Sequence, residues 1–198
     1  MNTNLINIPS SNILNVRRFL THLAANRKVS SCRSTDLLTV IPGVGSFDCA
    51  IEYLNANSLD LHSLMGQSSL VIGICLGMHI SYASSQESAK CLPGYSLSNH
   101  IVVSLQESPI ERAQHTGWNY VFFLHDEMST LSGYYYFSHA YGVQWYDSPR
   151  NIAYYYFNGR KYVAATRTLN FIGLQFHPEL SGPSGISLAV DLMFSKLS

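Results

Sequence analysis

Residues 70–79 read Leu-Val-Ile-Gly-Ile-Cys-Leu-Gly-Met-His. The first five are a continuous apolar run of strand length, as in a strand buried on both faces of a parallel sheet. Gly73-Ile74-Cys75-Leu76-Gly77 then has the form G-x-nucleophile-x-G. That pattern suits a sharp strand-to-helix turn, because small residues on both sides let the chain fold tightly and expose the middle side chain. A cysteine there gains from a following helix, whose first N–H groups favour a thiolate, and the Leu76 amide would face a developing oxyanion. A buried structural cysteine between two packing glycines is the competing reading, since free cysteine is among the most buried residue types.

Working outward, Leu5–Ile8 reads as a short strand, followed by a helix capped at Ser10 or Ser11 with Ile13, Leu14, Val16, Phe19, Leu20 and Leu23 at helical spacing. Leu37–Ile41 is a second buried strand, running into Pro42-Gly43-Val44-Gly45, and Phe47–Leu54 reads as a helix. After the Cys75 turn a helix is expected over Gly77–Ser85. Alternating strands and helices predict an α/β fold with a mostly parallel central sheet flanked by helices. The second half is rich in tyrosine and β-branched residues, with strands expected at His100–Leu105, Tyr120–Leu124, Tyr134–Phe137, Ile152–Phe157 and Tyr162–Ala165. Asn158-Gly159 between the last two is a hairpin turn signal. Phe171–Phe176 is a further strand and Ile186–Leu197 an amphipathic helix. The expectation is one domain over residues 1–198, with an antiparallel addition in its second half.

Composition narrows the function. Charged residues are 12%, about half the usual share, and Lys+Arg and Asp+Glu balance at 12 each. A neutral chain does not suit a phosphate backbone or an anionic membrane as its main partner. The longest apolar run, Leu70–Ile80, contains two glycines and falls short of the roughly 20 residues of a membrane span. The N-terminal segment has no basic region of the signal-peptide kind, so a cytoplasmic location is expected. The four cysteines show no CxxC spacing and the eight histidines no HExxH pairing. Neither a metal site nor an organic cofactor is indicated.

A base for Cys75 is found in Phe176-His177-Pro178-Glu179, at the end of the last strand. Pro178 favours an extended His177. Residues i and i+2 of an extended segment face the same way, so Glu179 can orient the imidazole as the acid of a triad does.

GICLGMH around Cys75 and GLQFHPELSG around His177 resemble the class I, triad-type glutamine amidotransferases, which have a flavodoxin-like fold. Within that class PGVG at 42–45, HTGWN at 115–119 and YFSHAY at 136–141 are similar to the glutaminase subunits of imidazole glycerol phosphate synthases. The resemblance implies that Cys75 attacks the side-chain amide of L-glutamine to form a γ-glutamyl thioester, with His177 as general base and then acid, oriented by Glu179. It also implies an oxyanion hole from the Leu76 amide and an amide in the Val44-Gly45 region, the latter misoriented until a partner signals. Gly43, His79, Glu87, His139 and Tyr141 fall at positions near glutamine, and a cyclase-type synthase subunit receives the ammonia. The chain departs from the family pattern at His79, usually Gln, at Ala140, usually a hydroxyl residue, and at Pro9–Asn12, usually a glycine-rich turn. Two further readings stay open on these departures: a glutaminase partner of a sugar amidotransferase in surface-glycan synthesis, and a non-catalytic scaffold.

Overall fold

The computed structural model describes residues 2–9, 13–30, 35–43, 45–106 and 114–194. In chain order the elements are β1 (Asn2–Leu5), α1 (Ile13–Ala24), α2 (Arg27–Ser30), β2 (Leu37–Ile41), α3 (Phe47–Ala56), α4 (Leu61–Gln67), β3 (Leu70–Ile74) and α5 (Leu76–His79). There follow β4 (Tyr82–Ser85), β5 (Ser98–Ser104), β6 (His115–Phe123), β7 (Gly133–His139), β8 (Tyr141–Gly142), β9 (Asn151–Phe157), β10 (Arg160–Thr168), β11 (Phe171–Leu174) and α6 (Gly182–Phe194).

The main sheet runs β1-β2-β3-β11-β10-β9-β6-β7. Its first four strands are parallel and the remaining four join antiparallel, so the addition expected in the second half continues the same sheet. A small second sheet, β4-β5-β8, lies beside it. In the parallel half, alternate residues of one strand face opposite cores. Ile72 and Ile74 pack with Val16, Phe19, Leu20 and Leu23 of α1 and with Leu188 and Leu192 of α6. Val71 faces the other way, with Ile51 and Leu54 of α3 and Leu61 and Leu64 of α4. Burial on both faces is why these strands read as unbroken apolar runs.

Asn158 and Gly159 both take positive φ, 48° and 73°, in the two-residue turn between β9 and β10, as the hairpin signal requires. Three expectations shift. The N-terminal strand hydrogen-bonds over Asn2–Leu5, ahead of the predicted Leu5–Ile8, because its ladder lies on β2 while the apolar Ile6 and Ile8 sink into the core after it. The helix expected over 77–85 is a single turn, and Tyr82–Ser85 instead pairs in parallel with β5. The last helix starts at Gly182, ahead of Ile186, and its end beyond 194 lies outside the described residues, as do Ser10 and Ser11. Helix α4 went unread, although Asp60 caps it by accepting from the Ser63 amide at 3.0 Å.

The turn after β3 depends on two glycines. A Cβ at Gly73 would lie 2.3 Å from the Gly77 carbonyl oxygen, and one at Gly77 would lie 2.3 Å from that of Ile41. Gly77→Ala is therefore expected to destabilise the protein by about 1–3 kcal/mol, or several degrees in Tm. Gly66→Ala, in α4 with nothing within 4 Å of the added methyl, is expected to be neutral or to stabilise by up to about 1 kcal/mol. Paired thermal melts check the contrast.

Candidate active site

Strands β3 and β11 are adjacent and parallel, with Leu174 in register with Ile74. Their carboxyl ends therefore emerge side by side, and the Cys75 amide donates to the Leu174 carbonyl at 2.6 Å. Cys75 holds φ 49° and ψ −103°, a conformation costing on the order of 1–3 kcal/mol for a residue with a side chain. That strain is held by the packing of Gly73 and Gly77 on either side, and it turns the sulfur into a cavity of about 410 Å³. Gly43 presses on the same turn: a Cβ there would lie 2.0 Å from the Ile74 carbonyl oxygen and 2.7 Å from the Cys75 Cβ.

On the neighbouring strand end, His177 is extended, with φ −102° and ψ 94°. Its Nδ1 is 2.8 Å from Oε1 of Glu179, and both side chains are buried. The reason differs from the expected one: Glu179 sits in a 3-10 turn over Pro178–Leu180, and this turn, rather than continued extended chain, brings the carboxylate back to the ring. Ser181 locks the arrangement. Its hydroxyl donates to the His177 carbonyl at 2.7 Å and accepts from the Tyr136 amide at 3.0 Å, while the His177 amide donates to the Tyr136 carbonyl at 2.8 Å. With Nδ1 committed, Nε2 has no partner among the described residues besides Cys75. Burial pushes His177 down, but hydrogen bonds with Cys75 and Glu179, and their negative charge, outweigh it and raise the imidazole to about 10. Helix α5 is too short for a macrodipole to matter much, so the positive charge available to Cys75 comes from this imidazolium.

Gly43, Gly45, Cys75, Leu76, His79, Glu87, His139, Tyr141 and His177 all line the one cavity, and Glu179 stands behind His177. Val44 lies outside the described residues. Leu76 is the first residue of α5, where an amide has no acceptor within its helix, and its residue lines the cavity beside Cys75. Glu87 is half-buried; desolvation raises its carboxyl, the Phe47 amide partly offsets this, and Asp48 adds to the rise. Tyr136, Ser138 and Leu180 also line the cavity, with Gln114, and the sequence reading gave none of them a role. Tyr136, Ser138 and Leu180 lie within the YFSHAY and HPEL stretches already singled out, while nothing in the sequence marks Gln114.

Two buried histidines are fixed by their partners. His139 Nδ1 donates to the Tyr141 carbonyl at 2.7 Å, which leaves Nε2 to accept from Nδ1 of His115 at 3.2 Å. Nε2 of His115 in turn faces the Asn119 amide at 3.1 Å. Burial, with Phe137, Tyr155 and Phe157 around the ring, lowers His115 to about 4. Burial likewise lowers His139, reinforced by the nearby His115 and His79. The cavity thus holds one cationic histidine among neutral ones. Among the described residues no group of three or more His, Cys, Asp or Glu is arranged to hold a metal ion. No helix among them is long and apolar enough to cross a membrane.

Residues 5–191 match the family model for class-I glutamine amidotransferases, and the chain belongs to that family of glutamine-hydrolysing enzymes. Among its relatives it is similar to the imidazole glycerol phosphate synthase subunit HisH of Carboxydothermus hydrogenoformans, at 36% identity over 96% of this chain and 98% of that one. The subunit of the same name from Thermotoga maritima is 31% identical, with 100% and 99% covered. That of Bacillus subtilis is 31% identical over 80% of this chain and 77% of its own. In solved structures the fold recurs in a glutamine amidotransferase crystal structure at TM-score 0.65 and 13% identity, covering 98% of both chains. It recurs also in the structure of PurLQS from Thermotoga maritima, at 0.57 and 15%, with 97% and 96% covered.

The raised His177 has a definite sign. An unfolded imidazole titrates near 6.5, so the stabilisation from the charged ring is complete below about 6.5 and is lost as pH climbs through about 10. Glu179→Gln is expected to lower the titration of His177, measured by imidazole NMR, and to flatten this loss of stability. His79 and His115 should stay neutral from pH 5.5 to 8 in both proteins, since each is lowered to about 4.

Proposed function

We propose that this chain is the glutaminase subunit of an imidazole glycerol phosphate synthase, a single domain over residues 1–198 that works in the cytoplasm with a cyclase-type synthase subunit. The observation that carries the reading is the meeting of Cys75 with His177 and Glu179 at one cavity, in a chain similar to HisH subunits over 96–100% of its length. The relatives cited share that name, which favours the synthase reading over the sugar-amidotransferase partner and the scaffold.

In the reaction, the Cys75 thiolate adds to the side-chain amide carbon of L-glutamine, and the carbonyl electrons move onto oxygen. The oxyanion faces the Leu76 amide, and an amide of Val44 or Gly45 supplies the second donor. His177, protonated, gives its proton to the departing nitrogen; the C–N bond breaks, ammonia leaves, and a γ-glutamyl thioester remains on Cys75. Neutral His177 then takes a proton from water as it attacks the thioester, and glutamate is released with the thiolate restored. Glu179 keeps the imidazole in the tautomer that both steps need. Gly43, His79, Glu87, His139 and Tyr141 form the walls against which glutamine lies. The ammonia passes to the docked synthase subunit, and the reading calls for neither a nucleic acid nor a membrane as partner. Acyl transfer of this kind needs no metal or organic cofactor.

Reconstitution with a HisF-type synthase subunit tests the proposal. Cys75→Ala is expected to abolish glutamine-dependent turnover, by at least about 10⁴-fold, while turnover on added ammonium salts persists. The purified single chain should hydrolyse glutamine poorly and accelerate when the synthase is added. Undiminished glutamine-dependent turnover by the Cys75→Ala complex would sink the assignment.

A further inference from the structure

We infer that Gln175 is a catalytic residue of this site, donating its side-chain N–H to the Cys75 sulfur, and that His79 is the positioning residue that holds it there. The inference rests on the reading of Cys75 as the nucleophile.

Gln175 is fully buried, between the end of β11 and His177. Its Nε2 is 3.7 Å from the Cys75 sulfur and its Oε1 is 2.9 Å from Nε2 of His79. A primary amide has one accepting and one donating end, and a thiolate offers lone pairs alone. Only the NH₂ end suits the sulfur, so Oε1 is left to accept, and His79 is fixed as the Nε2–H tautomer. Burial lowers His79 to about 4, so near neutral pH it is an uncharged, single-proton donor. The Ser138 carbonyl, 4.0 Å from the sulfur, suits a thiol S–H and gives a thiolate nothing. Gln175, with His177, therefore favours the thiolate over the thiol.

The arrangement has a simple structural origin. Gln175 and His177 lie just beyond β11, where the chain bends at 175–176, and both side chains reach the sulfur while Phe176 turns into the core against Tyr135. On the opposing side His79 is four residues beyond Cys75 on the one-turn α5, with its amide donating to the Cys75 carbonyl at 3.0 Å. The helix turn and the strand end thus close on one another through Gln175. This gives His79, where the family usually has Gln, a role independent of any contact with substrate.

The test is the pH dependence of Cys75 alkylation by iodoacetamide in the full chain, read at the Cys75 peptide by mass spectrometry because Cys49 and Cys91 are exposed. Among the described residues the titratable groups around the sulfur are His177 with Glu179 behind it, neutral His79 and His139, the buried phenol of Tyr155, and Glu87, Tyr136 and Tyr141 on the cavity wall. Gln175→Met keeps the length and removes the donor. It should move the midpoint up by about one pH unit, an about tenfold slower alkylation below it. His79→Phe should do the same. His79→Gln, whose Nε2 takes the place of the imidazole Nε2, should restore the wild-type midpoint. An unmoved midpoint in Gln175→Met overturns the inference, and so does a His79→Gln profile as displaced as that of His79→Phe. If Gln175→Met fails to give a cooperative melt, the His79 pair decides alone. Because alkylation needs no turnover, a failed glutaminase assay would strike the proposed function and leave this measurement standing.

Discussion

Everything at the site depends on one ladder, the parallel pairing of β3 with β11. Residues 71–74 lie in register with 171–174, so two segments a hundred positions apart leave the sheet together at their carboxyl ends. Open α/β sheets expose such ends as crevices, and here one contributes a strained turn carrying Cys75 and the other the segment just past the strand that carries Gln175 and His177. Both strands are buried by helices on either face, which fixes their register: a one-residue slip would carry Ile72 and Ile74 to the wrong core.

The electrostatic design follows from burial. Desolvation disfavours every charge in this cavity, and it keeps His79, His115 and His139 neutral. One histidine escapes, because a carboxylate on one side and a sulfur on the other outweigh the same penalty. A cation formed in only one place gives the sulfur its charge partner without creating competing proton donors. The neutral rings meanwhile act as directional hydrogen-bond parts, each with its tautomer set by its neighbour, and they stiffen the cavity walls at 139–141.

Much of the fold was legible in local pattern. Leu37–Ile41 and Leu70–Ile74 occur as read, and the Asn158-Gly159 turn joins the hairpin as expected. Where the reading slipped, tertiary contacts had replaced local preference. Tyr82–Ser85 continues no helix because β5 offers it a strand partner, and Glu179 reaches His177 through a 3-10 turn that no two-residue periodicity encodes. Helix α4 was missed because its apolar repeat, Leu61, Leu64 and Met65, spans barely one turn, with Asp60 as its capping signal.

At the site, the residue types by themselves determined the chemistry. A cysteine between glycines after a buried strand and a histidine before Pro-Glu after another have few uses together, because each supplies what the other lacks. Their meeting was decided only by the tertiary structure, since nothing in either segment states which strands are neighbours. The same is true of Gln175, which in sequence is one polar residue in an apolar strand. Folding places its amide between Cys75 and His79, and a side chain with a donor at one end and an acceptor at the other acquires meaning only from what stands at each end.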